Sequence, residues 1–192
     1  MSINVIRKLA TLAFIAVFAS SCDDNLNNRY CEFTARFHVD NVTSYPVLAT
    51  SCTSLGEFCT ITLPINGGGK VYVSNYKQTS YIESTVLQKY TGGLQLGLGG
   101  LVIGKPSTPE MLEDESQVTC YDLCCPNCYY NFNIQKQMTL GKNNDTLVCP
   151  TCSRTYDLNN MGIVSQGEAG HALFRYSVTY YQASCALTVY NR

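Results

Sequence analysis

The chain has 192 residues and a formal net charge of −1, with 14% charged residues, 14 tyrosines, 11 cysteines and no tryptophan. A net charge near zero and the lack of a Lys/Arg-rich run argue against a nucleic-acid partner. The Tyr, Thr, Val and Gly content favours strands and turns, so the composition predicts a mostly β protein.

The first 21 residues have the three parts of a secretory signal peptide. Arg7 and Lys8 form a positive n-region, and residues 9–19 form an apolar h-region. This h-region would span roughly 16 Å as a helix, which is too short to cross a bilayer. Small residues then lead into Cys22, and residues 19–22 resemble a lipobox. The resemblance implies lipid attachment at Cys22; the alternative is an ordinary signal peptide cut nearby, with Cys22 unmodified.

Residues 22–30 form a short polar tether that begins Cys-Asp-Asp-Asn. This acidic stretch resembles the export signal of Bacteroidetes lipoproteins. We therefore expect a lipid-anchored protein of the cell envelope, on the outer membrane or the periplasmic face. The leaflet stays open.

Residues 31–192 are predicted to form a single β domain. Alternating or apolar segments predict strands at residues 32–39, 58–63, 70–75, 94–103, 118–123, 172–181 and 186–190. A glycine turn separates two of them at residues 66–69, and the glycines within 94–103 suggest bulges. Residues 107–115 are the one segment that predicts a helical turn, because a Ser/Thr cap precedes Pro109 and acidic residues.

Four cysteines form two Cys-Pro-x-Cys knuckles, at residues 125–128 and 149–152. A Cys-x-x-Cys tight turn can point two thiolates at one ion, and two such turns at this separation match zinc ribbons and rubredoxin-like sites. The spacing predicts a metal-binding subdomain at about 120–157, with the ligands Cys125, Cys128, Cys149 and Cys152. Disulfide bonding is the alternative, since an exported protein meets an oxidising compartment.

The second knuckle opens a stretch that resembles a Rieske domain. Residues 149–157 read Cys-Pro-Thr-Cys-Ser-Arg-Thr-Tyr-Asp, followed by a glycine at 162, Gly-Glu-Ala at 167–169 and Leu-Phe-Arg-Tyr-Ser-Val at 173–178. Rieske domains have Cys-Pro-x-His-Gly-Ser-x-Phe/Tyr-Asp, a glycine turn, Gly-Pro-Ala and Leu-x-x-Tyr-x-Val in this order. Residues 119–127 are similar to the strand that enters the first Rieske loop. The resemblance covers roughly residues 101–178 and implies a Rieske-like antiparallel β-sandwich or barrel with a small two-knuckle subdomain.

The ligand positions depart from the Rieske pattern, in which each loop supplies one cysteine and one histidine. Cys125 and Cys149 match the two cysteines, but Cys152 stands at the second histidine position and Asn127 at the first. Cys128 lies one residue beyond Asn127. The two histidines of the chain, at 38 and 171, occupy neither position.

A four-thiolate set suits a low-potential 2Fe–2S cluster, or a single Zn or Fe ion. It leaves no open coordination position, which argues against hydrolysis. We expect a membrane-anchored metal protein that carries electrons for an envelope redox partner. The alternative is a non-redox binding lipoprotein, stapled by zinc or by disulfides, with another envelope protein as partner. No nucleophile–histidine arrangement or paired carboxylate motif predicts an enzyme.

Two further features add candidate modifications. Six cysteines lie outside the knuckles and are compatible with three disulfides of undetermined pairing: Cys31, Cys52, Cys59, Cys120, Cys124 and Cys185. Residues 145–147 read Asp-Thr-Leu, which is similar to the acceptor of Bacteroidetes O-glycosylation and makes Thr146 a candidate glycosylation site.

Overall fold

The computed structural model describes residues 30–64, 69–91, 93–108 and 117–191. The predicted signal peptide, Cys22 and residues 22–29 of the tether lie outside these ranges. So do most of the predicted turn at 66–69 and residues 109–115 of the predicted helical turn. Within the described ranges, no helix has the length and apolar character needed to span a membrane.

The described residues form strands joined in antiparallel ladders, with a few short helices, so the predicted mostly β class is confirmed. The helices are a 3₁₀ turn at Val42–Ser44, α1 (Pro46–Thr53), α2 (Ser84–Thr91) and α3 (Pro126–Phe132). The strands are β1 (Ala35–Val39), β2 (Glu57–Thr62), β3 (Lys70–Ser74), β4 (Thr79–Glu83), β5 (Gln95–Leu96), β6 (Leu101–Lys105), β7 (Thr119–Asp122), β8 (Thr139–Leu140), β9 (Thr146–Val148), β10 (Thr155–Asp157), β11 (Ile163–Gln166), β12 (Arg175–Tyr181) and β13 (Ala186–Tyr190).

The larger sheet has the strand order β4-β3-β2-β6-β7-β12-β13-β1-β5. Its main core takes side chains from strands far apart in that order, including Phe37 of β1 and Val73 of β3, both fully buried. Leu48 of α1 fills the same core. The strands of this sheet therefore share one apolar interior.

The central strands β6 and β7 are buried on both faces. Ile103 and Cys120 face the main core, whereas their neighbours Val102 and Tyr121 belong to a second apolar cluster, as the alternation of side chains along a strand requires. The smaller sheet, with the order β11-β10-β9-β8, supplies much of this second cluster, including Leu147. The small sheet and α3 thus cover the outer face of the central strands.

The predicted strands correspond to observed ones, except that residues 94–103 divide into β5 and β6. The chain turns at Gly97, which has a φ of +68° and lies so close to Asp122 and the Tyr176 hydroxyl that a Cβ would collide with both. Only glycine combines a left-handed backbone with such a close approach at no steric cost.

The expectation that residues 107–115 are the one helical segment is wrong, because three α-helices occur elsewhere among the described residues; residues 109–115 themselves lie outside them. In α1 the hydroxyls of Thr50, Ser51 and Thr53 donate hydrogen bonds to the carbonyls four residues earlier. This back-bonding satisfies polar side chains that otherwise disfavour a helix interior. Packing of α1 against β2 and β6 supplies stability that its own sequence pattern does not show.

Candidate metal centre

The first knuckle lies at the start of α3, so the expectation that both knuckles are tight turns is wrong for this one. Cys125 is the N-cap of the helix, Pro126 occupies its first turn, and Cys128 lies within it. Proline is favoured at this position because its missing N–H needs no partner there. The helix ends at Asn133, whose left-handed backbone lets its N–H bond to the carbonyls of Cys128 and Tyr129.

The second knuckle is a turn between β9 and β10, as predicted. Val148 and Thr155 pair across the two strands, and the Cys149 N–H donates to the Arg154 carbonyl at 2.9 Å. Ser153 follows the turn with a φ of +57°, and its N–H donates to the Cys149 carbonyl at 2.9 Å. These two bonds close the turn and direct the Cys149 and Cys152 side chains to the same side as α3.

The two knuckles bring the four predicted ligands together. The Sγ atoms of Cys125, Cys128, Cys149 and Cys152 all lie within 4.8 Å of one another. Cross-knuckle separations are 3.7 Å between Cys125 and Cys152 and 3.6 Å between Cys128 and Cys149. Four sulfurs bound at about 2.3 Å to one tetrahedral ion are about 3.8 Å apart. The four thiols can therefore hold a metal ion.

Three of these cysteines are buried, whereas Cys152 is only half-buried. Burial raises the pKa of the Cys125 and Cys128 thiols, although the Tyr156 hydroxyl and the Cys128 N–H oppose the shift at Cys125. Partial burial also disfavours ionisation of Cys152. Hydrogen bonds from the Arg154 N–H and guanidinium outweigh it and lower the Cys152 pKa to about 7. Metal binding would require all four thiolates, so it would release protons here.

Arg154 and Tyr156 surround the sulfurs with hydrogen-bond donors. The Arg154 guanidinium is largely buried and also pairs with Glu168, whose carboxylate oxygen lies 2.8 Å away. The Tyr156 hydroxyl lies 3.2 Å from the Cys125 Sγ. A cation and a hydroxyl beside thiolates offset the negative charge that a four-thiolate site accumulates.

Asn127, at the position of a Rieske histidine, uses its side-chain amide for hydrogen bonds rather than as a metal ligand. Its Nδ2 donates to the Tyr156 hydroxyl at 2.8 Å and to the His171 carbonyl at 3.0 Å, and its Oδ1 accepts from the His171 N–H at 2.9 Å. It therefore ties α3 to the loop that precedes β12. The sequence indicates its place in the knuckle but not these partners, because His171 lies 44 residues away.

The other candidate residues lie away from the four sulfurs or only border them. Among the described residues all ten cysteines are free thiols, and Cys52, Cys59 and Cys120 belong to the main core. Cys124, which is buried next to the first knuckle, has a pKa raised to about 12 by burial and by nearby Asp122. Thr146 is half-buried in β9.

The two histidines make local contacts. The His38 Nδ1 lies 2.8 Å from the Thr188 hydroxyl and its Nε2 lies 2.9 Å from an Asp40 carboxylate oxygen. The His171 ring packs on Tyr130 with 4.6 Å between the ring centroids. In the part of the chain that the structure describes, the four-cysteine group is the one cluster of three or more cysteine, histidine or acidic side chains with this metal-binding proximity.

Comparison with known proteins gives a weak structural similarity. No protein-family model matches the chain, and no curated protein matches it. Among solved structures, the cyanobacterial plasma membrane Rieske protein PetC3 from Synechocystis PCC 6803 aligns with 17% sequence identity and a TM-score of 0.32, covering 65% of this chain and 89% of that protein. The assignment of the fold class therefore rests on the strands, sheets and cores described above.

Proposed function

We propose that this chain is a lipid-anchored envelope protein in which Cys125, Cys128, Cys149 and Cys152 hold a single zinc ion that staples α3 to the small sheet. The mutual approach of the four sulfurs within 4.8 Å carries this proposal. Zinc prefers four thiolates in a closed tetrahedral site of this kind. The role that follows is structural, supporting a surface that binds another envelope component.

The sulfur separations favour one ion over a two-iron cluster. In a 2Fe–2S cluster two cysteines bind each iron, and the bridging sulfides and second iron hold the two ligand pairs apart. Here the short separations of 3.6 and 3.7 Å join different knuckles, and no pair of ligand sulfurs exceeds 4.8 Å. The imidazole ligands of a Rieske centre are also missing, since Asn127 and Cys152 stand at the two histidine positions.

A metal ion that joins α3 to the small sheet would stabilise strands that are very short. The strands of the small sheet are two to four residues long, and such short strands are marginal without further support. Structural zinc contributes on the order of 10 kcal/mol to the folding of small domains. An ion that joins the β9–β10 turn to the first turn of α3 would fix both against the central strands.

A one-iron electron carrier is the second candidate, and the exposure of Cys152 favours it. Electrons reach a metal most readily through a ligand at the protein surface, and Cys152 is the one member of the cluster that is only partly buried. The same ligands would hold iron in a rubredoxin-like site. An envelope redox protein would then be the partner.

Elemental analysis and an absorption spectrum of protein purified from its native envelope distinguish these candidates. We expect one zinc per chain and no absorption between about 300 and 600 nm, where thiolate-bound iron has charge-transfer bands. One iron per chain, with those bands, would replace the structural role by electron transfer. Disulfides among the four cysteines in native protein, detected by non-reducing mass spectrometry, would exclude any metal.

Two variants matched in exposure test the ligand set. Cys152→Ser should reduce the metal content well below one ion per chain, because serine is a poor ligand for zinc. Cys185→Ser changes another half-buried cysteine, outside the cluster, and should keep the full metal content. Equal metal content in both variants would contradict the proposed ligands.

The lipid anchor rests on residues 1–22, and mass spectrometry of the mature N-terminal peptide tests it. We expect an acylated Cys22 at the N-terminus, and a Cys22→Ser variant that no longer fractionates with membranes. An unmodified N-terminus elsewhere in the chain would contradict the anchor. Glycosylation at Thr146 would appear as a hexose-bearing peptide when peptides from the whole chain are mapped by mass spectrometry.

A further inference from the structure

The end of α3 exposes large apolar side chains within one short segment. Tyr130, Phe132 and Ile134 are 57%, 67% and 44% exposed, and the residues between them are asparagines. We call residues 130–134 the α3 apolar segment. Apolar side chains grouped in this way are uncommon on a surface that meets only water and mark contact with a partner or a membrane.

An aromatic cluster beneath the segment connects it to the start of the domain. Phe33, Tyr129, Tyr130 and Phe174 form this cluster. The Tyr130 ring centroid lies 5.4 Å from that of Phe174, which lies 6.1 Å from that of Phe33. Tyr129 packs edge-on against Phe33 at 5.2 Å. These contacts hold the exposed Tyr130 on a rigid base.

The tether joins the domain next to the same cluster. Tyr30 bridges to Arg175 at the start of β12, and the Cys31 N–H donates to the Arg175 carbonyl at 2.8 Å. Phe33, three residues after Tyr30, is already part of the aromatic cluster. Tyr30 follows Cys22 by eight residues, which span at most about 28 Å when fully extended. A lipid on Cys22 would therefore hold this end of the domain near a bilayer.

Charge close to the segment is mixed. Lys136 follows the segment by two residues, and the exposed Glu32 lies close enough to Tyr130 to add to the effect of burial in raising the pKa of its hydroxyl. Lipid headgroups are neutral or anionic, and basic residues beside them are attracted rather than repelled. Tyrosine is also enriched where proteins meet the headgroup layer, because its ring is apolar and its hydroxyl is polar.

We propose that the α3 apolar segment rests in the headgroup layer of the membrane that carries the lipid anchor, with Tyr130, Phe132 and Ile134 inserted. This inference builds on the proposed anchor at Cys22. Because α3 is about 10 Å long and its first turn carries Cys125 and Cys128, the metal centre would lie close to the membrane surface. The staple would then keep the inserted segment in place.

The absence of tryptophan from the chain allows a direct measurement. The full lipidated chain with Phe132→Trp is reconstituted into vesicles of phosphatidylcholine and phosphatidylglycerol with brominated acyl chains, which quench tryptophan on contact. We expect the tryptophan emission in brominated vesicles to be at most one third of that in unbrominated vesicles. We also expect the emission maximum to lie at shorter wavelength in vesicles than in their absence.

Two control variants place tryptophan at tyrosines of similar exposure. Tyr181→Trp lies at the far end of β12, about 20 Å from Arg175, and Tyr81→Trp lies on the edge strand β4, about 24 Å from β12 measured across the sheet. Both tyrosines are about as exposed as Tyr130, at 55% and 50%. The emission of both controls should be unchanged by bromination. Quenching in either control variant equal to that in the Phe132→Trp variant would overturn the proposal.

Flotation of the same vesicles tests the lipid anchor independently of the membrane insertion of α3. A Phe132→Trp chain that carries acyl groups and floats, but whose tryptophan is not quenched, retains the anchor and refutes membrane insertion of α3. If mass spectrometry finds no acyl group, the anchor is wrong. The unlipidated chains mixed with the same vesicles then decide the insertion alone: quenching confined to the Phe132→Trp variant supports it, and no quenching refutes it.

Discussion

Asp122 is a fully buried carboxylate at the end of β7, where the chain enters the first knuckle. Its Oδ1 accepts the N–H groups of Gly99 at 3.0 Å and Cys124 at 2.7 Å. Its Oδ2 accepts the Leu98 N–H at 2.8 Å and the Tyr176 hydroxyl at 2.7 Å. One side chain thus joins the β5–β6 turn, the first knuckle and β12.

Replacing this carboxylate should cost a large part of the stability of the domain. Asp122→Ala leaves three N–H groups without an acceptor and leaves the Tyr176 hydroxyl only the Cys31 Sγ at 3.3 Å, and each unpaired buried donor costs about 1–3 kcal/mol. Water entering the vacated space and relaxation of the turn recover part of that sum, so we expect a loss of about 3–5 kcal/mol. Domains of this size unfold with about 5–15 kcal/mol in total. Asp122→Asn keeps one acceptor oxygen and should cost about 1–3 kcal/mol.

Urea unfolding followed by circular dichroism measures these differences, with every variant fully loaded with metal. Tyr176→Phe is the matched control, because it removes one donor and leaves the carboxylate its other three. We expect it to cost about 1 kcal/mol. The double variant Asp122→Asn with Tyr176→Phe should cost less than the sum of the single changes, since the two groups share a bond.

Two results would refute this reasoning. An Asp122→Ala variant within about 1 kcal/mol of the unchanged chain, at the same urea dependence, would mean that the four bonds contribute little. A Tyr176→Phe variant as unstable as Asp122→Ala would place the effect in the tyrosine rather than the carboxylate.

Three further predictions concern a turn, the metal site and a core thiol. Gly97→Ala should destabilise the domain by more than about 3 kcal/mol, as measured by thermal unfolding. The control is Gly56→Ala, which should cost about 1 kcal/mol, because Gly56 also has a positive φ of +75° but an added Cβ would meet only the Ser107 Cβ at an ordinary 3.6 Å. Tyr156→Phe removes the hydroxyl beside the Cys125 Sγ and should weaken zinc binding about tenfold in a chelator competition, while an unchanged affinity would count against that contact. Burial raises the pKa of Cys59 from 9.0 to about 12. As the pH rises above 9, the unfolded chain therefore loses the Cys59 proton while the folded chain keeps it, and the free energy of unfolding should fall. Under reducing conditions Cys59→Ala should reduce that slope by up to about 1.4 kcal/mol per pH unit.

Most strands of the larger sheet and the four ligands could be predicted from the sequence because both depend on local patterns, whereas β4 and the four short strands of the small sheet were not predicted. Alternation of apolar residues located β1, β2 and β12, and the repeated Cys-Pro-x-Cys spacing identified the sulfurs that the structure brings together. Local patterns did not show that Cys125 begins a helix. Its proline is compatible with a turn or with a first helical turn, and the left-handed cap at Asn133 that ends α3 has no strong signal.

The residues that support the site could not be predicted, since their partners are distant in the chain. Asp122 bonds to Tyr176 across 54 residues, and Asn127 to Tyr156 across 29. Such pairs exist only once β7, β10 and β12 have taken their places. Burial is the property that makes these polar groups important, and burial is a consequence of the whole fold.

The arrangement of the two cores explains why a metal would be used at this place. The main core contains none of the four ligands and is enclosed by long paired strands, so it does not need an ion. The second cluster contains Cys125, Cys128 and Cys149 among its buried members, and its outer wall is the small sheet of very short strands. Stability is therefore distributed unevenly, and the part with the fewest ladder hydrogen bonds of its own is the part with the ligands. A metal bound there would join α3 to the β9–β10 turn, since each of these two elements supplies two of the four sulfurs.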